Sequence, residues 1–351
     1  MNPGYFLTLR AAFRTITGDF MTPFCLFTPL FFIMRIGPWD LVLMIIALIV
    51  VGNFFFIKWR DKKTKYEIQV LEEKISIRTG EVLQQKFELE KKNELIAEKN
   101  KEMTDSLNYA KRIQGAILPK TSSIQQTFPQ SFILYMPKDI VSGDFYSFNR
   151  KNNKALIAAA DCTGHGVAGA IMSMIGSSLM NQIINEKGVM DPAEILNQLN
   201  LGIIEALKQA ENTSHDGMDV SLCAFDTENL ELTFAGANRP LWLIRNGSLE
   251  SYKSDKYPIG GLQIDHTESF TNHRIPLQKN DAVYLFSDGY ADQFGGMLGK
   301  KLMTKKFKEV LLSIQDKSME EQGEYLHQFI TDWMGGEFEQ VDDMMVIGIR
   351  I

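Results

Sequence analysis

Three cysteines in 351 residues are too few and too scattered to build a covalent framework. Cys25, Cys162 and Cys223 form no CxxC pair, which excludes a disulfide scaffold and points to a reducing compartment such as the cytoplasm. No GxxxxGK[ST] loop is present, so the phosphate grip of a P-loop nucleotide hydrolase is missing. No serine, cysteine or lysine stands out as an activated protein nucleophile. Basic charge is scarce where most of the chain lies: from residue 113 onward there are 20 basic and 30 acidic side chains. A surface of that sign disfavours the phosphate backbone of nucleic acids as a partner. The bulk figures are those of a globular protein, with 45% hydrophobic residues, 23% charged residues and a net charge of −6.

The apolar residues are unevenly spread. Residues 41–57 (LVLMIIALIVVGNFFFI) carry no charge and, with Pro38 and Trp39 before and Lys58, Trp59 and Arg60 behind, approach the roughly 20 residues that cross a bilayer. Tryptophans at both edges suit the interfaces, and Lys58, Arg60, Lys62 and Lys63 mark a cytoplasmic side. A second apolar run, Phe20 to Ile33, is short for a span. Extended through Met34 it predicts a helical hairpin of about 20–34 and 39–57, with both ends cytoplasmic. A signal peptide is the competing reading, but the run lies late and no small-residue cleavage site follows it. Residues 5–16 are open to an amphipathic surface helix. Only some 60 residues precede the next segment, too few for a sizeable ligand pocket. An input signal is therefore expected from another membrane protein or from the bilayer.

From Leu71 to Ile117 the chain is free of proline and keeps one helical register. Ile75, Val82, Leu89, Ile96, Met103, Ala110 and Ile117 recur every seventh residue. The companion positions Leu71, Arg78, Gln85, Lys92, Lys99, Ser106 and Ile113 are mostly polar. Half a heptad seam fits either a solvated single helix of mixed charge or a weak parallel dimeric coiled coil that can shift register. Pro119 is expected to end the helix.

Beyond Pro119, short apolar runs alternate with Gly, Asn and Asp turns. Strands are expected at 131–136, 144–148, 155–160, 219–226, 230–236, 240–245, 282–287 and 344–351. Helices are expected at 168–185, 192–210, 303–314 and 320–334. Blocks of strands and blocks of helices, without strict alternation, predict an α+β domain with mostly antiparallel sheets.

Four aspartates sit where those apolar runs meet turns: Asp144, Asp161, Asp288 and Asp342. Any one is most simply a turn or cap residue. Four together, if they converge, repel one another unless a cation offsets their charge. Hard oxygen ligands of this kind suit magnesium or manganese. Gly143 before Asp144 allows close backbone approach. The loop Thr163-Gly164-His165-Gly166 after Asp161 opens a helix whose first amides favour an anion.

The motifs Val141-Ser142-Gly143-Asp144-Phe145-Tyr146, Ala160-Asp161-Cys162-Thr163-Gly164-His165-Gly166, Phe286-Ser287-Asp288-Gly289 and Asp342-Asp343-Met344-Met345 resemble those of SpoIIE-like, RsbU-type phosphatases of the metal-dependent protein phosphatase (PPM) family. The resemblance covers roughly 108–351 in the family's order. It implies an αββα sandwich of two antiparallel sheets flanked by helices, and hydrolysis of phosphoserine or phosphothreonine on a protein, often an anti-sigma-factor antagonist. By position, Asp144 and Asp161 match carboxylates of a two-metal centre of Mn2+ or Mg2+, with Asp161 bridging. The carbonyl of Cys162, Asp288 and Asp342 complete it. Asp292 and Asp219 match acids of a weaker third metal site, and Asp343 matches a lesser position. Two such ions make a bridging water nucleophilic near neutral pH. Asn108 to Gln114, continuing to Pro119, matches the helix that enters the domain and couples it to the input side.

These readings divide the chain into a membrane anchor at 1–60, a coiled-coil signalling helix at 61–118 and a phosphatase domain at 119–351. The enzyme would be a homodimer at the inner membrane with its catalytic domain in the cytoplasm. His165 reads as an assistant to the leaving group or as a loop-ordering residue. Arg239 reads as a phosphate contact or a solvated turn residue. The competing function is a catalytically silent scaffold of the same fold, which the cost of unused buried carboxylates disfavours.

Overall fold

A computed structural model describes residues 37–261 and 269–351. The expected helices at 5–16 and 20–34 lie outside the described residues. Helix α1 spans Pro38–Ile117, 80 residues in one run. Pro38 sits where its missing N–H is no loss, and Pro119 disfavours helical geometry at Leu118. The apolar 41–57 segment and the heptad-patterned segment are thus one uninterrupted helix. Leu41, Ile45, Val50, Phe55 and Ile57 are all exposed on it. Its ion pairs, such as Arg78 with Glu81 at 2.8 Å, are solvent-facing and contribute little stability. The chain divides between Asn93 and Glu94 into two compact units.

The second unit is a sandwich of two sheets. A short helix α2 (Thr121–Thr127) leads into β1 (Ser131–Met136). The first sheet has the order β2 (Phe145–Lys151), β3 (Lys154–Cys162), β4 (Gly217–Asp226), β5 (Glu231–Ala237), β9 (His273–Pro276), with β8 (Ile259–Gly260) on β4. The second runs β1, β13 (Met344–Arg350), β10 (Ala282–Phe286), β6 (Leu241–Arg245), β7 (Ser248–Tyr252). The ladders within both are antiparallel. A two-residue ribbon, β11 (Phe294–Gly295) with β12 (Lys300–Lys301), stands apart from them.

The alternation along β3 shows why two layers of helix are needed. Ala155, Ile157 and Ala159 face the other sheet, packing with Phe225, Phe234, Val283, Leu285 and Ile347. Leu156, Ala158 and Ala160 face outward, beneath α3 (Gly166–Asn181) and α4 (Pro192–Ala206). A strand buried on both faces reads as a continuous apolar run. On the far side α6 (Met303–Ser313) and α7 (Met319–Met334) cover Trp242, Tyr284 and Val346. The order is helix, sheet, sheet, helix, as expected. Helix α3 approaches closely because it is rich in small residues: a Cβ on Gly176 would meet Met218 Cε at 2.6 Å.

Strands β7, β8 and β9 and the one-turn helix α5 (Gly289–Asp292) carry little apolar signal. β7 is an edge strand with largely exposed side chains. Its hairpin to β6 is nonetheless written in Asn246 and Gly247, both at positive φ, the pairing that favours a tight two-residue turn.

Ile157 is fully buried between the sheets, so Ile157→Ala is expected to destabilise the sandwich by about 2–5 kcal/mol, read as a lower midpoint in chemical denaturation with an unchanged slope.

Candidate active site

Antiparallel register places the first two acids. Asp161, near the end of β3, lies directly opposite Asp219, near the start of β4. Like charges across a strand pair are unfavourable, so the pair needs compensation. Asp288 follows β10 and sits at the N-cap of α5. Asp342 and Asp343 precede β13, the neighbour of β10 in the second sheet. Asp144 immediately precedes β2. Acids from both sheets therefore meet at one end of the sandwich.

Their mutual electrostatics show the convergence. Burial raises the pKa of Asp144 well above the usual carboxylate range, and Asp161, Asp343 and Asp342 add to it. Burial likewise pushes Asp161 up to about 7, with Arg239 opposing and Asp288, Asp219 and Asp342 reinforcing. Asp219 and Asp342 are raised too, chiefly by burial. Asp144 is 1% exposed, and its Oδ2 has no hydrogen-bond partner.

At the centre lies a residue whose importance the sequence did not disclose. Arg239, in the turn between β5 and β6, places Nη2 2.7 Å from Asp161 Oδ2, 2.7 Å from Asp288 Oδ2 and 3.3 Å from Asp219 Oδ2. Its side chain is only 15% exposed, which corrects the solvated-turn reading. The neighbouring Asn238 donates from Nδ2 to Asp219 Oδ1 at 2.9 Å.

Asp343 has a different job from its neighbours. It is buried, and its two oxygens accept from the Lys138 amide at 2.7 Å and the Gly143 amide at 2.6 Å. It thereby fastens the 138–143 loop to β13. Glycines let these loops pack backbone on backbone. A Cβ on Gly143 would lie 2.5 Å from Gly164 O and 3.4 Å from Cys162 O. One on Gly169 would collide with Gly164 O, and one on Gly289 with Asp343 O. The Cys162 carbonyl thus faces the Asp144 loop, while its thiol is buried.

Helix α1 ends against the same loop. Gln114, the one buried residue of α1, donates from Nε2 to Ser142 O at 2.6 Å and to Ser173 Oγ at 2.9 Å. Its Oε1 accepts from the Ser142 amide at 3.2 Å. Ser142 Oγ in turn accepts from the Asp144 amide at 3.0 Å. The expected entry helix is therefore tied to the first acid through one serine.

His165 stands at the rim. Lys138 Nζ donates to its Nε2 at 2.9 Å, and its Nδ1 donates to Asp139 at 2.8 Å. This network orders the loop after Asp161. The Asp292 carboxylate is held by Lys301 at 2.9 Å, and its amide donates to Asp288 O at 2.9 Å.

The donor set suits a hard divalent cation. Every candidate ligand is a carboxylate or carbonyl oxygen, one buried carboxylate oxygen lacks a partner, and negative charge exceeds the single guanidinium. As the side chains stand, no three His, Cys, Asp or Glu groups among the described residues are arranged to hold a metal ion. Arg239 draws Asp161, Asp219 and Asp288 onto its own nitrogen instead.

Comparison with known proteins fits this architecture. The family model of Stage II sporulation protein E (SpoIIE) matches residues 151–351. The chain belongs to the SpoIIE family. The SiaA PP2C domain of Pseudomonas aeruginosa is 31% identical over 72% of this chain and 98% of that one, with a TM-score of 0.66. The PP2C phosphatase domain of SpoIIE from Bacillus subtilis, solved with a fragment of its regulatory domain, shares the fold at 19% identity. That likeness covers 63% of each chain with a TM-score of 0.51. No curated protein matches the chain. The SpoIIE-family chain therefore carries a PP2C-type phosphatase domain.

Two outcomes follow from these contacts. Asp161 holds a proton when folded that the unfolded chain, with its ordinary value of 3.8, has released between about pH 4 and 7. The metal-free chain is therefore expected to lose stability as pH rises through that window and to level off above it. Melting in chelator at pH 5, 6, 7 and 8 checks this. Gln114→Leu removes the partners of the Ser142 amide and carbonyl and is expected to cost about 1–3 kcal/mol, measured by denaturant titration.

Proposed function

We propose that the chain is a membrane-tethered, divalent-metal-dependent protein serine/threonine phosphatase. The observation that carries this reading is the gathering of Asp144, Asp161, Asp219, Asp288 and Asp342 at one end of a PP2C-type sandwich. Likeness to the SiaA PP2C domain at 31% identity supports it.

Asp144, Asp161, Asp288, Asp342 and the Cys162 carbonyl would hold two Mn2+ or Mg2+ ions. Asp219 and Asp292 are the candidates for a weaker third ion. Bound there, the cations would supply an activated water and offset charge on the phosphoryl oxygens. The chain's own contribution is placement. Asp343 and the close-packed glycines fix the loops that carry the acids. Burial of Asp144 and Asp161 lowers the local dielectric and makes each charge more effective. Lys138 at the rim offers a positive charge to an incoming phosphate. Its bond to His165 Nε2 leaves that nitrogen accepting a proton rather than donating one, so loop order is the role its contacts support.

The substrate is read as a phosphoserine or phosphothreonine on a signalling protein, an anti-sigma-factor antagonist or similar partner. Residues 38–57 of α1 are long and apolar enough to cross a bilayer. The apolar segment and the basic residues that follow it support a catalytic domain on the cytoplasmic face of an inner membrane. The seam from Ile75 to Ile117 supports a homodimer through α1.

A manganese-dependent assay on a phosphopeptide tests the reading. Asp161→Asn and Asp288→Asn are each expected to lower kcat on the order of 10²–10³-fold, the scale of losing one preorganised charge-stabilising group. No metal-dependent hydrolysis by the wild type would favour the silent scaffold instead. The Asp288→Asn variant then serves as bait for the phosphoprotein partner.

A further inference from the structure

Arg239 does not bind its acids as a permanent structural arginine would. Such an arginine usually forks, presenting two N–H groups to one carboxylate. Here Nη2 alone makes all three contacts, to Asp161, Asp288 and Asp219. The Nε atom is buried with no partner at all. An unpaired buried donor is costly, so the pose is a compromise dictated by charge rather than by fit. The guanidinium is used as a point cation would be, centred among oxygens from three strand ends.

The backbone beneath it is fixed. Asn238 is in the left-handed region at φ 55°, and its amide donates to Asp255 O at 2.9 Å. The Arg239 amide donates to Ala237 O at 2.6 Å. Gly236 permits the turn, since a Cβ there would lie 2.5 Å from Arg239 O. Only the side chain is free to leave, by rotation about its own bonds. Three carboxylates share this one guanidinium, so negative charge remains in excess around it. The cluster is short of positive charge while the guanidinium covers the oxygens that a cation would need.

We propose that Arg239 is a resident counter-cation of the acid cluster that a divalent ion must displace from Asp161 and Asp288. It thereby sets the metal concentration at which the site loads. The proposal rests on the phosphatase reading for the identity of the ligands, and goes beyond it in giving the chain a built-in competitor for its own metal.

Isothermal titration of the purified full-length chain with manganese chloride, without any phosphosubstrate, tests it. Arg239→Ala is expected to bind Mn2+ about tenfold more tightly or better, because one positive charge at contact distance has been removed. Its metal-free melting temperature is expected to fall, because three acids lose their shared partner. Arg239→Gln, close in size and neutral, carries the test if the alanine variant does not fold, and the same gain is expected. Arg239→Lys restores the charge and is expected to return affinity toward wild type. Unchanged or weaker Mn2+ binding in both neutral variants would overturn the proposal. So would failure of every form to bind the metal. Tight metal binding without phosphopeptide hydrolysis would sink the enzyme reading while leaving this one standing.

Discussion

Repulsion among desolvated carboxylates is the constraint around which this domain is organised. Two sheets bring Asp161 and Asp219 from one side and Asp288, Asp342 and Asp343 from the other, and water is largely excluded from Asp144. Charges so close and so poorly hydrated are not stable by themselves. The structure answers in two ways. One guanidinium is drawn over three acids, and burial moves the titrations of Asp144 and Asp342 upward. Both ease the repulsion without removing it.

Holding such a cluster together needs stiffness, and stiffness comes from backbone contacts more than from side chains. Gly143, Gly169 and Gly289 each sit where any side chain would strike a neighbouring carbonyl. Asp343 spends both oxygens on amides of the 138–143 loop. The sandwich beneath supplies the rest: β3, β4, β10 and β13 are buried on both faces, so their ends have little freedom to drift.

Much of this was legible in the sequence because it depends on short-range pattern. The alternation in Ala155 to Ala160, the apolar faces of 192–206 and 319–334, and Gly beside Asp at 143–144 and 288–289 all speak locally. Helix α1 was legible for the same reason, although its continuity through 58–70 was not. That stretch has neither an apolar stripe nor a breaker, and only unbroken hydrogen bonding decides it. What the sequence could not reveal depends on distant partners. Nothing near Arg239 announces three acids, which lie from 20 to 78 residues before it and 49 after it. Gln114 looks like any polar residue on a charged helix until Ser142 and Ser173 are placed around it. Asp343 resembles a ligand because it adjoins Asp342, yet two amide bonds assign it to the scaffold.

The strands by which the chain enters and leaves the sandwich are neighbours. β1 pairs with β13 over six residues, from Ser131 beside Ile349 to Met136 beside Met344, and the Arg350 amide reaches back to Gln130 O at 2.9 Å. Entry and exit therefore share one seam. A fold closed in this way can be spliced into a longer polypeptide as a self-contained cassette, with the host's preceding and following segments emerging side by side and the acid-bearing end left undisturbed.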